Sequence, residues 1–398
     1  MRAVPVADGI HWVGAIDWGL RDFHGYETPR GTTYNAYLVV GDGGVALVDT
    51  VKSGFVPELL DRVRTVVPLE RVTLVVVNHV EPDHNGGLRE VLEACPNARC
   101  VASRAGVAGI AEYHEGLAAD VVGADAVIDL GGKTLRFLPM PMVHWPDSMF
   151  TYCAESRALL PNDAFGQHMA SSERFADEVG IDLALEQLGI YFANILMPLT
   201  KQVADAVGKV VATGWEIETI APSHGVIWRG ADPIGAAIAA YGRWTSGETQ
   251  RKAVVAFSTM WGSTAMLATA VADGIAAEGV DVRVFDLASS AIADVTRELL
   301  DARALVLGSP TLHHGMLFRV SGYLTWLEGL RPAGKLAATF GSFGWGGGAS
   351  KQMGDRLAAI GFELPFESLA VKFRPTGADL DSAARWGREI GKAVVEKG

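Results

Sequence analysis

The chain has 398 residues, 49% of them hydrophobic, and a formal net charge of -12. That length suits two domains with full cores, while the acidic balance and the lack of a basic stripe disfavour nucleic acid and anionic membrane surfaces as partners. Three cysteines (Cys95, Cys100 and Cys153) are too few for a disulfide framework or a four-cysteine iron site, and no stretch reaches the ~18 apolar residues of a membrane span, so the expected setting is the reducing cytoplasm.

Met1 to Gly19 is interrupted by Arg2, Asp8 and Asp17 and shows no secretory pattern. From there to about residue 245, short apolar strands alternate with turn clusters and a few helices. Strands are expected at Thr33–Val40, Val45–Val48, Val72–Asn78, Arg99–Ala102, Thr134–Leu138, Met149–Ala154 and Ala158–Pro161. The spacing predicts two mixed sheets packed together with helices outside. Asp177–Met197 is expected to be helical up to Pro198, and Lys201–Thr213 to form a second helix. The polar stretch Tyr241–Lys252, which contains Gly247, has the composition of a linker.

From residue 253 the rhythm becomes strand, loop, helix. Strands are expected at Ala253–Phe257, Val282–Phe285, Ala304–Gly308, Leu336–Phe340 and Leu369–Phe373, with helices such as Thr264–Glu278, Ser321–Leu330 and Ala349–Ile360 between them. Five strands alternating with helices imply a doubly wound parallel sheet, which binds ligands at the carboxyl ends of its strands. The expected domains are therefore 1–245 and 253–398.

The densest chemical signal is His79-Val80-Glu81-Pro82-Asp83-His84, between the apolar run Val72–Val77 and the turn Asn85-Gly86-Gly87. On an extended backbone, residues two apart point the same way, so His79 and Glu81 can share one metal. Pro82 restricts the following turn, leaving Asp83 and His84 to face a second. Imidazole with carboxylate suits iron, zinc or manganese. A polar loop with a salt-bridged histidine is the bland alternative. Three later candidates each follow an apolar segment: His144 in Pro141-Met142-Val143-His144-Trp145-Pro146-Asp147-Ser148, Asp163 in Asn162-Asp163-Ala164-Phe165-Gly166, and His224 in Ala221-Pro222-Ser223-His224-Gly225. Singly, each is more often a hydrogen-bonded structural residue.

In the C-terminal half, Ser258-Thr259-Met260-Trp261-Gly262-Ser263-Thr264 leads into a helix. Hydroxyls, a glycine and a helix N-terminus make a phosphate cradle. There is no GxGxxG and no Walker lysine, which disfavours a dinucleotide site or an ATPase. The loop resembles the FMN-phosphate loop of flavodoxins. Two further strand-end loops suit the flavin ring: Ser309-Pro310-Thr311-Leu312-His313-His314-Gly315, and Ser342-Phe343-Gly344-Trp345-Gly346-Gly347. Small residues allow close approach, and Trp345 is placed to stack.

The ordered series HxExDH, His, Asp, His resembles the metallo-β-lactamase superfamily. Glu81 stands where its zinc hydrolases usually carry a histidine. With Tyr191-Phe192-Ala193-Asn194-Ile195-Leu196-Met197-Pro198 and Phe23-His24-Gly25-Tyr26, the pattern is similar to the flavodiiron proteins over nearly the whole chain. The resemblance implies an αββα sandwich followed by a flavodoxin-like domain with a five-stranded parallel sheet. It implies that His79, Glu81 and His144 hold one iron, that Asp83, His84 and His224 surround another, and that Asp163 bridges them. In some relatives the histidine at the position of His84 swings away from the metal. His24 and Tyr26 are candidate catalytic donors lining the pocket above the metals; Trp145 has core packing as an equal reading. His11, His114 and His168 are expected to be structural or at the surface. The family more often has Asn where His313 and His314 stand.

The resemblance also implies an activity. Electrons from a separate rubredoxin or flavin reductase would pass through FMN to two irons, reducing oxygen to water and/or nitric oxide to nitrous oxide. It implies a head-to-tail homodimer as well. Rival readings are a zinc hydrolase fused to a flavodoxin-like domain, and a non-enzymatic electron carrier or oxygen sensor. Glu81 argues against the first, because it adds negative charge and a hard oxygen ligand that favour redox-cycling iron.

Overall fold

A computed structural model describes residues 2–397. Two compact units emerge. One comprises residues up to Phe23, Thr28–Tyr191 and Leu199–Thr245; the other comprises His24–Glu27, Phe192–Pro198 and the chain from Ser246 onward. Two short segments of the N-terminal half thus cluster with the C-terminal unit.

The first unit is built on two sheets. Seven strands run in chain order across one sheet: Val4–Ala7, Ile10–Trp12, Tyr37–Val40, Val45–Val48, Val72–Val77, Arg99–Ala102 and Asp120–Val121. Pairing is antiparallel as far as Val45–Val48 and parallel thereafter. The other sheet takes Val127–Asp129, Thr134–Pro139, Met149–Cys153, Ala158–Leu160, Thr219–Ile220 and Trp228–Arg229, also in chain order. Alternation along the strands separates two cores. Val45, Leu47, Val75 and Val77 face the helices Val56–Arg64, Leu88–Ala94 and Arg104–Tyr113, while Ala46, Val48, Leu74 and Val76 pack against Leu135, Phe137 and Met149 of the second sheet. Strands buried on both faces read as continuous apolar runs, which is why Val72–Val77 lacks the alternation of a half-exposed strand.

In the second unit the strands Asp281–Asp286, Gln250–Phe257, Ala302–Gly308, Leu336–Phe343 and Leu369–Lys372 lie in that spatial order, all parallel. Ala253, Val255, Ala304 and Val306 pack into one helix layer, and Val254, Ala256, Leu305 and Leu307 into the other. The order 2-1-3-4-5 places a switch point between the first and third strands, where ligands of such sheets bind.

Two expectations need correction. Tyr241–Lys252 is not a linker: the helix Ala231–Ser246 and the strand Gln250–Phe257 take all but Gly247–Thr249. Tyr241 and Trp244, three apart, bury on one face of that helix, a signal hidden by the polar residues between them. The helix expected at Asp177–Met197 is broken, with Ala176–Val179 and Ile181–Tyr191 followed by a π stretch at Phe192–Leu196 and a 3-10 turn around Pro198. The helical run Ile181–Ala212 meets the length and hydropathy of a membrane span, yet 56% of its most apolar window is buried, as in a core helix.

Candidate functional site

The strand Val72–Val77 ends just before His79, and Glu81 still has extended backbone (φ −59°, ψ 139°). His79 and Glu81 therefore point the same way. Pro82 opens a single helical turn, Pro82–Asn85, which swings Asp83 and His84 elsewhere. Two groups of metal-capable side chains result, His79 with Glu81, His144 and Asp163, and Asp83 with His84 and His224; within each, the ligand atoms lie within 4.8 Å of one another. His79, Asp83, His84, Asp163 and His224 are buried; Glu81 and His144 are partly so.

The distances suit ligands aimed at shared cations. Donors bound to one ion at 2.0–2.2 Å sit roughly 3.0–3.5 Å apart. His144 Nε2 lies 3.4 Å from Glu81 Oε2 and 3.3 Å from Asp163 Oδ2, and His224 Nε2 lies 3.1 Å from Asp83 Oδ2. Asp163 faces both groups. Its Oδ2 is 3.6 Å from His79 Nε2, while its Oδ1 is 3.0 Å from His84 Nε2 and 3.5 Å from His224 Nε2. Among the described residues, both Asp83 oxygens, Asp163 Oδ2 and His224 Nε2 are buried without a hydrogen bond. Buried polar atoms are rarely left so, and cations between them would satisfy the set. The residues fit a dinuclear metal site.

The charge balance agrees. Burial pulls His79 down, but hydrogen bonds to Asp147 and Glu81 and the charge of Asp163 carry it up to about 10. His144 reaches about 10 against burial through Asp163 and Glu81, and His84 about 9 through Asp83 and Asp163. Burial pushes Asp163 and Asp83 up, yet the His84 charge and the other imidazoles hold both below the usual carboxylate range. Carboxylates that hold protons on these three imidazoles would equally attract cations, which displace those protons on binding.

A supporting set of hydrogen bonds went unread in the sequence. Asp147 Oδ2 accepts from His79 Nδ1 at 2.9 Å and from Val80 N at 2.7 Å. The Thr33 carbonyl accepts from His224 Nδ1 at 2.6 Å. Both bonds place the ring proton on Nδ1 and leave Nε2 to face the cluster. Asp49, fully buried, accepts from Asn78 N at 2.7 Å and ties the strand end to Asn162; burial pushes its carboxyl up to about 6. Asp49, Met142, Asn162 and Phe165 all adopt positive φ, so the loops around the cluster are held in conformations costly for side-chain-bearing residues. His84 Nδ1, by contrast, has no hydrogen bond among the described residues. Trp145 packs edge-on to His79 at 5.0 Å and joins the core. His168 is buried against His224, His11 is half-buried, and His114 bonds the Asn85 carbonyl. His24 and Tyr26 belong to the segment that clusters with the C-terminal unit, where the buried Tyr26 ring lies 6.2 Å from Trp326.

The second unit carries a cleft of about 840 Å³ at the carboxyl ends of its strands. Thr259, Met260, Trp261 and Ser263 border it from the first loop, and Pro310, Thr311, Leu312, His313 and His314 from the second. Ser342, Phe343, Gly344, Trp345 and Gly346 border it from the third. Gly262, Thr264, Ser309, Gly315 and Gly347 do not. Gly262 instead caps the helix Ser263–Ala276 at φ +86°, a position that only glycine adopts cheaply, and its N–H bonds Thr259 Oγ1. Thr264 pairs with the Ser342 hydroxyl, and buried Ser309 accepts from Leu317 N. Phe373, expected at the end of the last strand, and Arg374 lie just past it and also border the cleft, a role that no motif in the sequence marks. Trp261 and Trp345 are 91% and 93% exposed, an unusual cost that a stacked planar ligand would offset. Hydroxyls at a helix N-terminus beside exposed aromatics fit a phosphate-bearing flavin.

Comparison with known proteins follows the same division. Residues 32–225 match the family described as ODP family beta lactamase, and residues 255–387 match flavodoxin. The chain is 43% identical to a nitric oxide reductase of Moorella thermoacetica, covering 99% of this chain and 100% of that one. It is 37% identical to the rubredoxin-oxygen oxidoreductase of Megalodesulfovibrio gigas, covering 100% and 99%. The crystal structure of the flavodiiron protein from Giardia intestinalis superimposes with a TM-score of 0.95 at 34% identity, over 100% of this chain and 97% of that one.

Proposed function

The chain belongs to the flavodiiron protein family, and on that premise we propose that FMN and a non-haem diiron site, once bound, carry electrons from an external donor to oxygen, giving water, and/or to nitric oxide, giving nitrous oxide. His79, Glu81 and His144 would hold one iron and Asp83, His84 and His224 the other. Asp163 would give one oxygen to each. The observation that carries this assignment is the two-sided placement of Asp163, with Oδ2 toward His79 and His144 and Oδ1 toward His84 and His224.

The protein's own residues do the positioning. Asp147 and the Thr33 carbonyl fix the tautomers of His79 and His224. Burial of the ligand cluster strengthens its electrostatics. In the second unit the hydroxyls of Thr259 and Ser263, with the helix N-terminus, would hold the FMN phosphate, and Trp345 would cover the ring. His24 and Tyr26 are proposed as hydrogen-bond donors to the substrate; a His24→Ala variant with intact metal and slower turnover supports this, and an unchanged rate removes it.

The electron donor is proposed to be a separate rubredoxin or a flavin reductase, and the setting the cytoplasm. A head-to-tail homodimer is proposed to pair the flavin of one subunit with the metals of the other; an active monomer by light scattering during turnover defeats that arrangement. The test of the reading is metal and flavin content per chain after anaerobic purification. Two irons and one FMN support it. Zinc at that stoichiometry, with no activity after iron reconstitution, favours the hydrolase.

A further inference from the structure

A second cavity, of about 280 Å³, lies between the outer face of the six-stranded sheet and the helices Thr200–Ala212 and Ala231–Ser246. Its floor includes Val143, Ala164 and Phe165. Val143 immediately precedes His144, and Ala164 immediately follows Asp163, so the loops that present two of the metal-facing side chains also form the cavity wall. Val211 and Ile238 border it and are 73% and 39% exposed, which gives an apolar route from solvent.

Nearly every lining side chain is aliphatic or aromatic. The Tyr241 hydroxyl is engaged by Phe165 N at 2.7 Å, and among the described residues no charged one borders the space. Such a space offers nothing to a charged or strongly hydrogen-bonding ligand. Engineered cavities of about 150 Å³ stay dry and take up xenon or benzene, so this one has room for small apolar molecules. The activity read above consumes such molecules: oxygen and nitric oxide are neutral diatomic gases that partition from water into apolar surroundings.

We propose that this cavity is a gas-holding site that concentrates diatomic substrate against the loops that carry His144 and Asp163. The proposal rests on the functional reading above. It is tested with the protein loaded with iron and FMN. Xenon-pressurised crystals should show xenon in the cavity of the wild type and none in Ala206→Phe, whose ring fills the space beside the buried Ala206. The variant should keep its iron and FMN content, raise the apparent KM for gas several-fold and keep its kcat at saturating gas. Val211→Trp, at a largely exposed position, should act the same way and leaves the test intact if Ala206→Phe does not fold. Absence of xenon from the wild-type cavity overturns the proposal. So does an unchanged KM in a variant that excludes xenon. A wild type that binds xenon yet consumes neither gas overturns the functional reading instead, and the reservoir role with it.

Discussion

Asp147→Asn separates charge from shape at the proposed metal site. The Asp147 carboxylate takes both of its short bonds on one oxygen, from His79 Nδ1 at 2.9 Å and Val80 N at 2.7 Å. An asparagine carbonyl at the same place keeps both bonds but not the charge. Loss of the carboxylate lowers the basicity of His79 at Nε2, the atom that faces Glu81 and Asp163. Outer partners of this kind are worth about 10- to 100-fold in metal affinity, or about 1.4 to 2.7 kcal/mol. Asp147→Ala should cost more, because it frees the ring and leaves the buried Val80 N–H unpaired, adding roughly 1–3 kcal/mol to stability lost. The assay is anaerobic competition for iron against a chelator, with FMN content as the control. Wild-type iron affinity in Asp147→Asn would refute the argument that a charged partner is needed behind His79.

Other outcomes follow from the same geometry. Glu81→His removes a negative charge from the first group and should shift competitive loading from iron toward zinc, read by elemental analysis after exposure to both ions; an unchanged ratio contradicts the ligand argument. Thr259→Ala removes the acceptor of Gly262 N and a hydroxyl from the cleft, and should raise the FMN Kd by about tenfold or more, read by fluorescence titration. Lys335 provides a pH test away from both sites. Its ammonium is buried and donates to the Leu300 and Ala302 carbonyls, and burial pushes it down to about 8 from 10.5. The unfolded chain then binds more protons than the folded one between those values, so stability should rise with pH across that window, by about 3 kcal/mol in all. Denaturant midpoints that stay flat from pH 8 to 10, in the wild type as in Lys335→Met, would rule this out.

What the sequence made legible was local. The apolar run Val72–Val77 followed by His79 and Glu81 specifies a strand end with two metal-capable side chains on one side, because the period of two is set by the backbone itself. The loops at Thr259–Thr264 and Ser309–Gly315 could likewise be placed, since strand and helix alternate cleanly around them. Asp147 carries no local sign of its role, although it lies three residues after His144. Its partner His79 lies 68 residues away, and only the pairing of two sheets brings them together. Asp49 was hidden for the same reason, reaching Asn78 across 29 residues. Phe373 and Arg374 follow the last strand of a sheet whose carboxyl ends were already implicated, so the rule was available but the composition gave no prompt. The segments His24–Glu27 and Phe192–Pro198 join the C-terminal unit through tertiary packing, as when Asn194 bonds the Ala293 carbonyl and the Trp326 indole. No periodicity in the chain announces that.

Reductive titration of protein reconstituted with iron and FMN, followed by exposure to limiting oxygen, decides whether the cluster is a redox centre. A diiron centre coupled to FMN should take up four electrons per chain, two on the flavin and one on each iron, and consume one oxygen molecule per chain with water as the product. Uptake of only two electrons, with hydrogen peroxide released, would mean that the flavin acts alone and that the seven-residue cluster is not a redox centre.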